Sequence, residues 1–236
     1  MLEVEVKNSI QEAVYDELKR AIMTLRYPPG TTMSTQEIAT KLNVSRTPVR
    51  ESFVRLQSEG LVETIPQRET LVSRIDLRRV EEERFIRESL EVAVVEPFLQ
   101  KCTSSDFQKL RSMIEEQRKC WQEKRYADFV DCDNNWHKYM FDIAGQTLAW
   151  ETTMKVNGHY NRIRVLTVQV DETSAGVLQQ HGKILDLMEN ACLDEARAEV
   201  RNHVTKLNKE KINLVRLFPD YFKTNNTPVG IQIGKL

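Results

Sequence analysis

Asp133 and His137 lie four residues apart in the segment FVDCDNNWHKYMF. On a helix that spacing turns a carboxylate and an imidazole toward the same side. Phe129, Cys132, Trp136, Met140 and Phe141 mark an apolar stripe, and the pair sits on it. An ionised carboxylate on a buried face is costly without a partner, and a metal ion is one good partner. His181 lies among Leu178, Ile184, Leu185 and Met188, and His203 beside Val200, Val204 and Leu207, again on inward faces. Three helices could therefore aim one carboxylate and three imidazoles at a shared point in a core. Taken singly, each position also reads as ordinary structure. A histidine on an apolar face is usually a hydrogen-bonded core residue, and Asp133 could pair with an arginine. The group weighs more than its members, because all 4 histidines of the chain, His159 included, fall in the same region.

A second chemistry belongs to Asn43–Arg55, NVSRTPVRESFVR. Ser45 is placed to cap a helix, and Pro48 falls in its first turn, where a missing N–H has no partner to lose. Val49, Phe53 and Leu56 repeat at helical spacing and face inward, which leaves Arg46, Thr47 and Arg50 on the other side of the N-terminal end. Side chains there reach base edges when such a helix enters the major groove. Lys41, Arg46, Arg50 and Arg55 form a local cationic group facing only Glu51.

The elements that must carry these residues follow from periodicity and breakers. Ile10, Val14, Leu18, Ile22 and Leu25 form a helical stripe that stops at Tyr27-Pro28-Pro29-Gly30. Ser34 and Glu37 have capping-box spacing, Ile38, Ala39 and Leu42 give a small apolar face, and Asn43 makes the turn. Gly60 ends the next helix, and Leu61–Ile65 and Thr70–Arg74 read as two strands around Pro66-Gln67-Arg68-Glu69. Three helices and a β-hairpin make a winged helix-turn-helix over residues 1–75. From residue 77 to 222 the pattern is all helical and suits an antiparallel bundle. The helices are expected at Glu81–Lys101 with an interruption near Pro97, Ser105–Glu123, Tyr126–Ile143, Thr147–Val170, Ala175–Asn190 and Leu193–Leu217. Residues 223–236 read as a flexible tail. The fold class is mainly α.

The runs Pro28-Pro29-Gly30, Glu37-Ile38-Ala39, Ser45-Arg46-Thr47-Pro48-Val49-Arg50-Glu51 and Glu59-Gly60-Leu61-Val62 resemble the N-terminal domain of GntR-type bacterial transcription regulators. The bundle resembles the all-helical FCD effector domain of the FadR-like branch of that family. The resemblance implies a homodimeric repressor or activator on a pseudo-palindromic double-stranded DNA operator, controlled by a small molecule. It assigns DNA reading to Arg46 and Arg50, with Thr47, Ser45, Gln36 and the wing residue Arg68 assisting. Metal-binding members carry Asp-x-x-x-His on one helix, a histidine early in a later helix and another in the last, which Asp133, His137, His181 and His203 match. That donor set suits zinc first, with nickel, manganese or iron as alternatives. An octahedral ion would keep two positions for a chelating effector, favouring small hydroxy acids, sugar acids or dicarboxylates. By resemblance the neighbouring helix lines the effector pocket. Arg162 there could hold a carboxylate bidentately with Arg164 beside it, or the arginines could form surface salt bridges, and His159 could be a fifth ligand, a hydrogen-bond donor to the effector or ordinary core. Two departures stand out: Gln180 precedes His181 where the family often has glutamate, and Glu69 follows Arg68 where a glycine is common. Glutamate there is sterically worse and repels backbone, so the wing is expected to contribute less than usual.

Length and composition suit two domains of ordinary globular type. The net charge is −1 over 236 residues, and residues 1–75 hold ten basic and ten acidic side chains, so the usual basic footprint of a DNA-binding domain is missing. No apolar run approaches membrane-spanning length; Val92–Val95 is stopped by Glu96-Pro97. The first residues lack a signal peptide's basic and apolar regions, and the 4 cysteines show no CxxC pairing, so a cytoplasmic protein with reduced thiols is expected. Two rival readings use the same residues: a metal-dependent hydrolase or lyase on the Asp/His3 site, and a regulator whose metal is purely structural.

Overall fold

The computed structural model describes residues 2–65, 69–170, 174–206 and 211–224. The chain divides into two compact units, one of Met1–Val80 with the chain from Val215, the other of Glu81–Leu214.

In the first unit α1 (Leu2–Met23), α2 (Thr35–Leu42) and α3 (Arg46–Ser58) pack around Val14, Leu18, Ile22, Ile38, Val49, Phe53 and Leu56. Leu25, expected to continue the α1 stripe, lies beyond the helix with φ +61°. Ser34 caps α2 through the Glu37 N–H, and Asn43 closes it in the left-handed region at φ +53°. Asparagine tolerates that conformation better than most residues, and this fixes the angle between α2 and α3. Three short strands complete the unit: β1 (Thr32–Met33), β2 (Val62–Thr64) and β3 (Thr70–Val72), antiparallel in the order β1-β3-β2. β2 and β3 are the expected wing; β1 was not anticipated, because two residues carry no period. The Ile65 N–H donates to the Glu69 carbonyl at 2.9 Å and closes the hairpin, whose tip lies outside the described residues. The chain from Val215 returns here: the Ile75 N–H donates to Tyr221 O (2.8 Å) and the Lys223 N–H to Ile75 O (3.0 Å). The tail beyond residue 224 is outside the described residues.

The second unit contains most of α4 (Leu77–Leu99), then α5 (Ser104–Gln122), α6 (Tyr126–Ala144), α7 (Thr147–Val156), α8 (Gly158–Val170), α9 (Ser174–Glu189), α10 (Leu193–Thr205) and the start of α11 (Lys211–Leu217). α5 packs between α6 and α9, α8 lies on α6, and α9 lies on α10. Three expectations need correction, one being that Leu193–Leu217 is two helices, α10 and α11, with residues 207–210 outside the described residues. Pro97 does not interrupt α4, which runs on to Leu99. A proline that close to a C-terminus removes one hydrogen bond, and only two residues follow it in the helix. The segment Thr147–Val170 is two helices, broken at Asn157–Gly158. The Glu83 carboxylate accepts from the backbone N–H groups of His159 and Tyr160, both at 2.8 Å. It thus takes donors that a continuous helix would have sent to its own preceding turn.

Candidate metal centre and nucleic-acid interface

α6 buries Phe129, Val130, Asp133, Asn134, Trp136, His137, Met140 and Phe141 along one face, and Gly145 ends it at φ +72°. α9 and α10 bring His181 and His203 to the same place. The His203 Nε2 stands 3.2 Å from the His137 Nε2 and 3.3 Å from the His181 Nε2. The Asp133 Oδ1 lies 3.4 Å from the His181 Nε2 and 3.9 Å from the His203 Nε2. One ligand atom from each of the four residues falls within 4.8 Å of every other. Neighbouring ligands on one ion with bonds of about 2.1 Å sit about 3.0–3.4 Å apart, so the imidazole separations fit a common ion.

Proton positions strengthen the fit. The His181 Nδ1 faces the Gln117 Oε1 at 3.1 Å. Gln117 spends its amide N–H groups on Phe129 O (3.3 Å) and the Asp133 Oδ1 (3.5 Å), which fixes the orientation of its oxygen. The His137 Nδ1 approaches the Glu91 Oε2 to 3.0 Å, close but out of line for a full hydrogen bond. Both oxygens are acceptors, so each Nδ1 carries the proton and each Nε2 presents a bare lone pair. Those lone pairs converge on a third imidazole and a carboxylate. The His203 Nε2 can supply one proton at most, which the two bare Nε2 atoms would have to share, whereas a cation could meet all three. Burial and the nearby His203 hold His181 well below 6.5, and burial brings His203 to about 3, so both of these imidazoles stay neutral. Neutral imidazole is the metal-binding form.

Asp133 serves two sides. Its Oδ2 accepts from Arg87 at 3.2 Å and from Arg164 and lies 3.7 Å from the His137 Nε2, while Oδ1 is turned toward His181 and His203. Burial opposes ionisation, but Arg164 first among the neighbouring charges, with Arg87, holds the carboxyl well below its usual range. Glu91, equally buried, is brought to about 2 against its burial, chiefly by Arg87. Trp136 stacks on His181 with ring centroids 4.3 Å apart and fixes that ring's plane. Arg87, Glu91 and Gln117 escaped the sequence reading. Their signal was present: Arg87 and Glu91 share a stripe with Val94 and Phe98, and Gln117 one with Leu110 and Ile114, all polar groups at core spacing. If the cluster holds a divalent ion, Glu91→Gln is expected to weaken its binding about 10- to 100-fold, the usual effect of losing a carboxylate behind a ligating histidine. Calorimetric titration of the purified variant checks this.

The three expected effector residues separate. Arg164 lies at the cluster, donating to the Asn134 Oδ1 at 2.7 Å and to Asp133. Arg162, fully buried, turns its Nε to Gly158 O (3.1 Å) and one terminal nitrogen to the His159 Nδ1 (3.0 Å), so it is not a surface residue. Gln180 keeps a buried side-chain oxygen without a hydrogen-bond partner.

In the first unit Ser45, Arg46, Thr47 and Arg50 are exposed at the start of α3, and Gln36 is exposed on α2. Ser45 occupies the cap position without a side-chain cap bond. Among the described residues no ion pair engages Arg46 or Arg50. Arg55 is different: it pairs with Glu12 at 2.7 Å and lies 3.5 Å over the Tyr15 ring. It ties α3 to α1 and drops out of the cationic group expected from sequence, while Lys41 donates to the Tyr27 hydroxyl at 3.0 Å. Arg68 lies outside the described residues.

Residues 10–72 match the family model of the bacterial regulatory proteins of the gntR family, and residues 84–206 match that of the FCD domain. The HTH-type transcriptional repressor RspR of Escherichia coli K12 is 28% identical over 213 residues, 90% of this chain and 93% of that protein. An uncharacterized HTH-type transcriptional regulator of Streptomyces ambofaciens is 28% identical over 93% of this chain and 92% of its own length. The solved E. coli McbR/YncC superposes with a TM-score of 0.71 at 17% identity, covering 88% of this chain and 98% of that one. A GntR regulator structure from Rhodococcus sp. RHA1 gives 0.72 at 19% identity, again over 88% and 98%. Among the described residues no helix is long and apolar enough to cross a membrane. An N-terminal winged helix-turn-helix joined to a helical unit with a cluster that could hold a metal ion is thus a transcription regulator rather than an enzyme, and the chain belongs to the GntR family, with an FCD domain.

Proposed function

We propose that this regulator binds a pseudo-palindromic operator as a homodimer and that a small carboxylate or sugar acid, bound at a zinc-type ion in the helical unit, controls its affinity. Residues 1–75 read the DNA, with Arg46 and Arg50 on base edges and Thr47, Ser45, Gln36 and Arg68 on the backbone and wing contacts. Residues 77–222 serve effector binding and dimerisation. Asp133, His137, His181 and His203 hold the ion, whose role is to polarise and orient the effector.

The observation that carries the effector class is a charge balance. Asp133 and Glu91 are buried anions, and the buried Arg87 and the part-buried Arg164 are the cations that face them. These four charges cancel. A divalent ion therefore leaves two uncompensated positive charges in a low-dielectric interior, which an anionic, oxygen-rich ligand offsets. Arg164, already turned toward the cluster, takes the ligand's carboxylate first; Arg162 and His159 support it from the first turn of α8. Effector binding changes operator affinity by favouring one arrangement of the two DNA-binding units over the other.

A thermal-shift screen of small carboxylates and sugar acids on metal-loaded and chelator-stripped protein tests this. The expected result is stabilisation that appears only with metal, about 2.7 kcal/mol at a hundredfold excess over Kd. Stabilisation that survives stripping would assign the ligand to the arginines and leave the ion a structural part.

A further inference from the structure

We propose that Cys120 and Cys132 form a reversible disulfide that clamps α5 to α6 beside the Asp/His cluster. Their Sγ atoms face each other across the two helices at 3.7 Å, both as free thiols. A disulfide needs about 2.05 Å, so the sulfurs must approach by roughly 1.6 Å. Cys102 and Cys192 turn their thiols to backbone carbonyls instead, those of Leu99 and Asn190.

The place matters as much as the distance. Cys120 follows Gln117 by one turn of α5, and Cys132 immediately precedes Asp133 on α6. Gln117 is the group that touches both helices at the cluster, through the His181 Nδ1, Phe129 O and the Asp133 Oδ1. A bond between the thiols draws α5 and α6 together within one turn of that bridge. It moves a ligand and the residue that orients another ligand relative to each other. Closely packed interiors transmit such shifts rather than absorbing them.

The oxidant is a low-molecular-weight disulfide. Cys132 is the more exposed of the two, but burial and the facing Cys120 push its thiol up to about 12, so only a small thiolate fraction attacks one sulfur of RSSR; that S–S bond breaks and RS− leaves. The Cys120 thiolate then attacks the Cys132 sulfur, the bond to the remaining RS group breaks, and a second RS− leaves. Two electrons pass to RSSR, and the two thiol protons end on two molecules of RSH. A dithiol reductant reverses both steps. Cys120 is only 4% exposed, so the reaction is slow and answers sustained oxidation.

The bond stands independently of the metal reading; its effect on the cluster rests on that reading. The test incubates the full-length protein with oxidised glutathione for hours, then combines intact-mass and peptide analysis with zinc titration of the reduced and oxidised forms. The expected result is the loss of two hydrogen masses, a crosslinked peptide joining residues 120 and 132, and zinc affinity lowered about tenfold. Cys120→Ser and Cys132→Ser should abolish the mass change, and the double variant should keep the affinity of the reduced protein. Glutathione adducts without a crosslink, or a crosslink elsewhere, overturn the clamp. A crosslink with unchanged affinity overturns its action on the cluster, as does loss of affinity in the double variant, which would make the thiols ligands. A crosslink in a protein that binds no zinc in either form overturns the metal reading and leaves the clamp standing.

Discussion

Arg50→Ala is expected to remove sequence-specific DNA binding while leaving the fold and the metal content of the helical unit unchanged. Arg50 is exposed on the face of α3 opposite Val49, Phe53 and Leu56, so truncation opens no cavity and breaks no ion pair of the described residues. A bidentate arginine–base contact discriminates by about 1–3 kcal/mol. The proposed dimer on two half-sites would lose it twice, which amounts to roughly 30- to 20,000-fold in specific affinity. Gel-shift titration against operator and scrambled duplex at one salt concentration measures the ratio. An unchanged ratio would remove α3 as the reading helix. Arg55→Ala makes an informative contrast. It breaks the Glu12 pair and uncovers the Tyr15 ring, so it should lower the stability of the first unit and affect DNA binding only through folding.

His137→Ala is expected to empty the metal site. Four ligands share the apparent 10–16 kcal/mol of a structural zinc site, so losing one costs roughly a hundred- to a thousandfold in affinity. The substitution also leaves Glu91 Oε2 facing a void, although Arg87 still neutralises that carboxylate. His137→Gln fills most of the volume and separates loss of a ligand from loss of packing. Elemental analysis after dialysis reads the stoichiometry, and circular dichroism reads the fold. A folded variant with unaltered metal content would move the ion elsewhere. Correlated loss of metal and of effector-induced stabilisation in both variants would tie the effector to the ion.

The legible parts of this molecule are those governed by local rules. The helix-turn-helix was readable because Asn43, Pro48 and Gly60 act on their own backbone, and Val49, Phe53 and Leu56 repeat at the helical period. The four cluster residues were readable because a polar side chain on an apolar stripe signals itself. The same rule applied to Arg87, Glu91 and Gln117 would have found them too. It was not decisive there, since arginine and glutamate on a long helix usually mark a solvated face. The break at Asn157–Gly158 was hidden for another reason: its cause, Glu83, lies more than seventy residues earlier in the chain.

The amino-acid order alone thus determined the helices, the wing, the face of α3 that carries Arg46 and Arg50, and the four side chains able to ligate a metal. Only the tertiary structure decided that three Nε2 atoms meet, with the Nδ1 atoms of His137 and His181 turned toward Glu91 and Gln117. It also decided that Arg164 rather than Arg162 sits at Asp133, and that Arg55 serves packing. Periodicity reports the direction of a side chain about its own helix axis. Distances between atoms on different helices depend on crossing angles and helix offsets, which the whole core sets together.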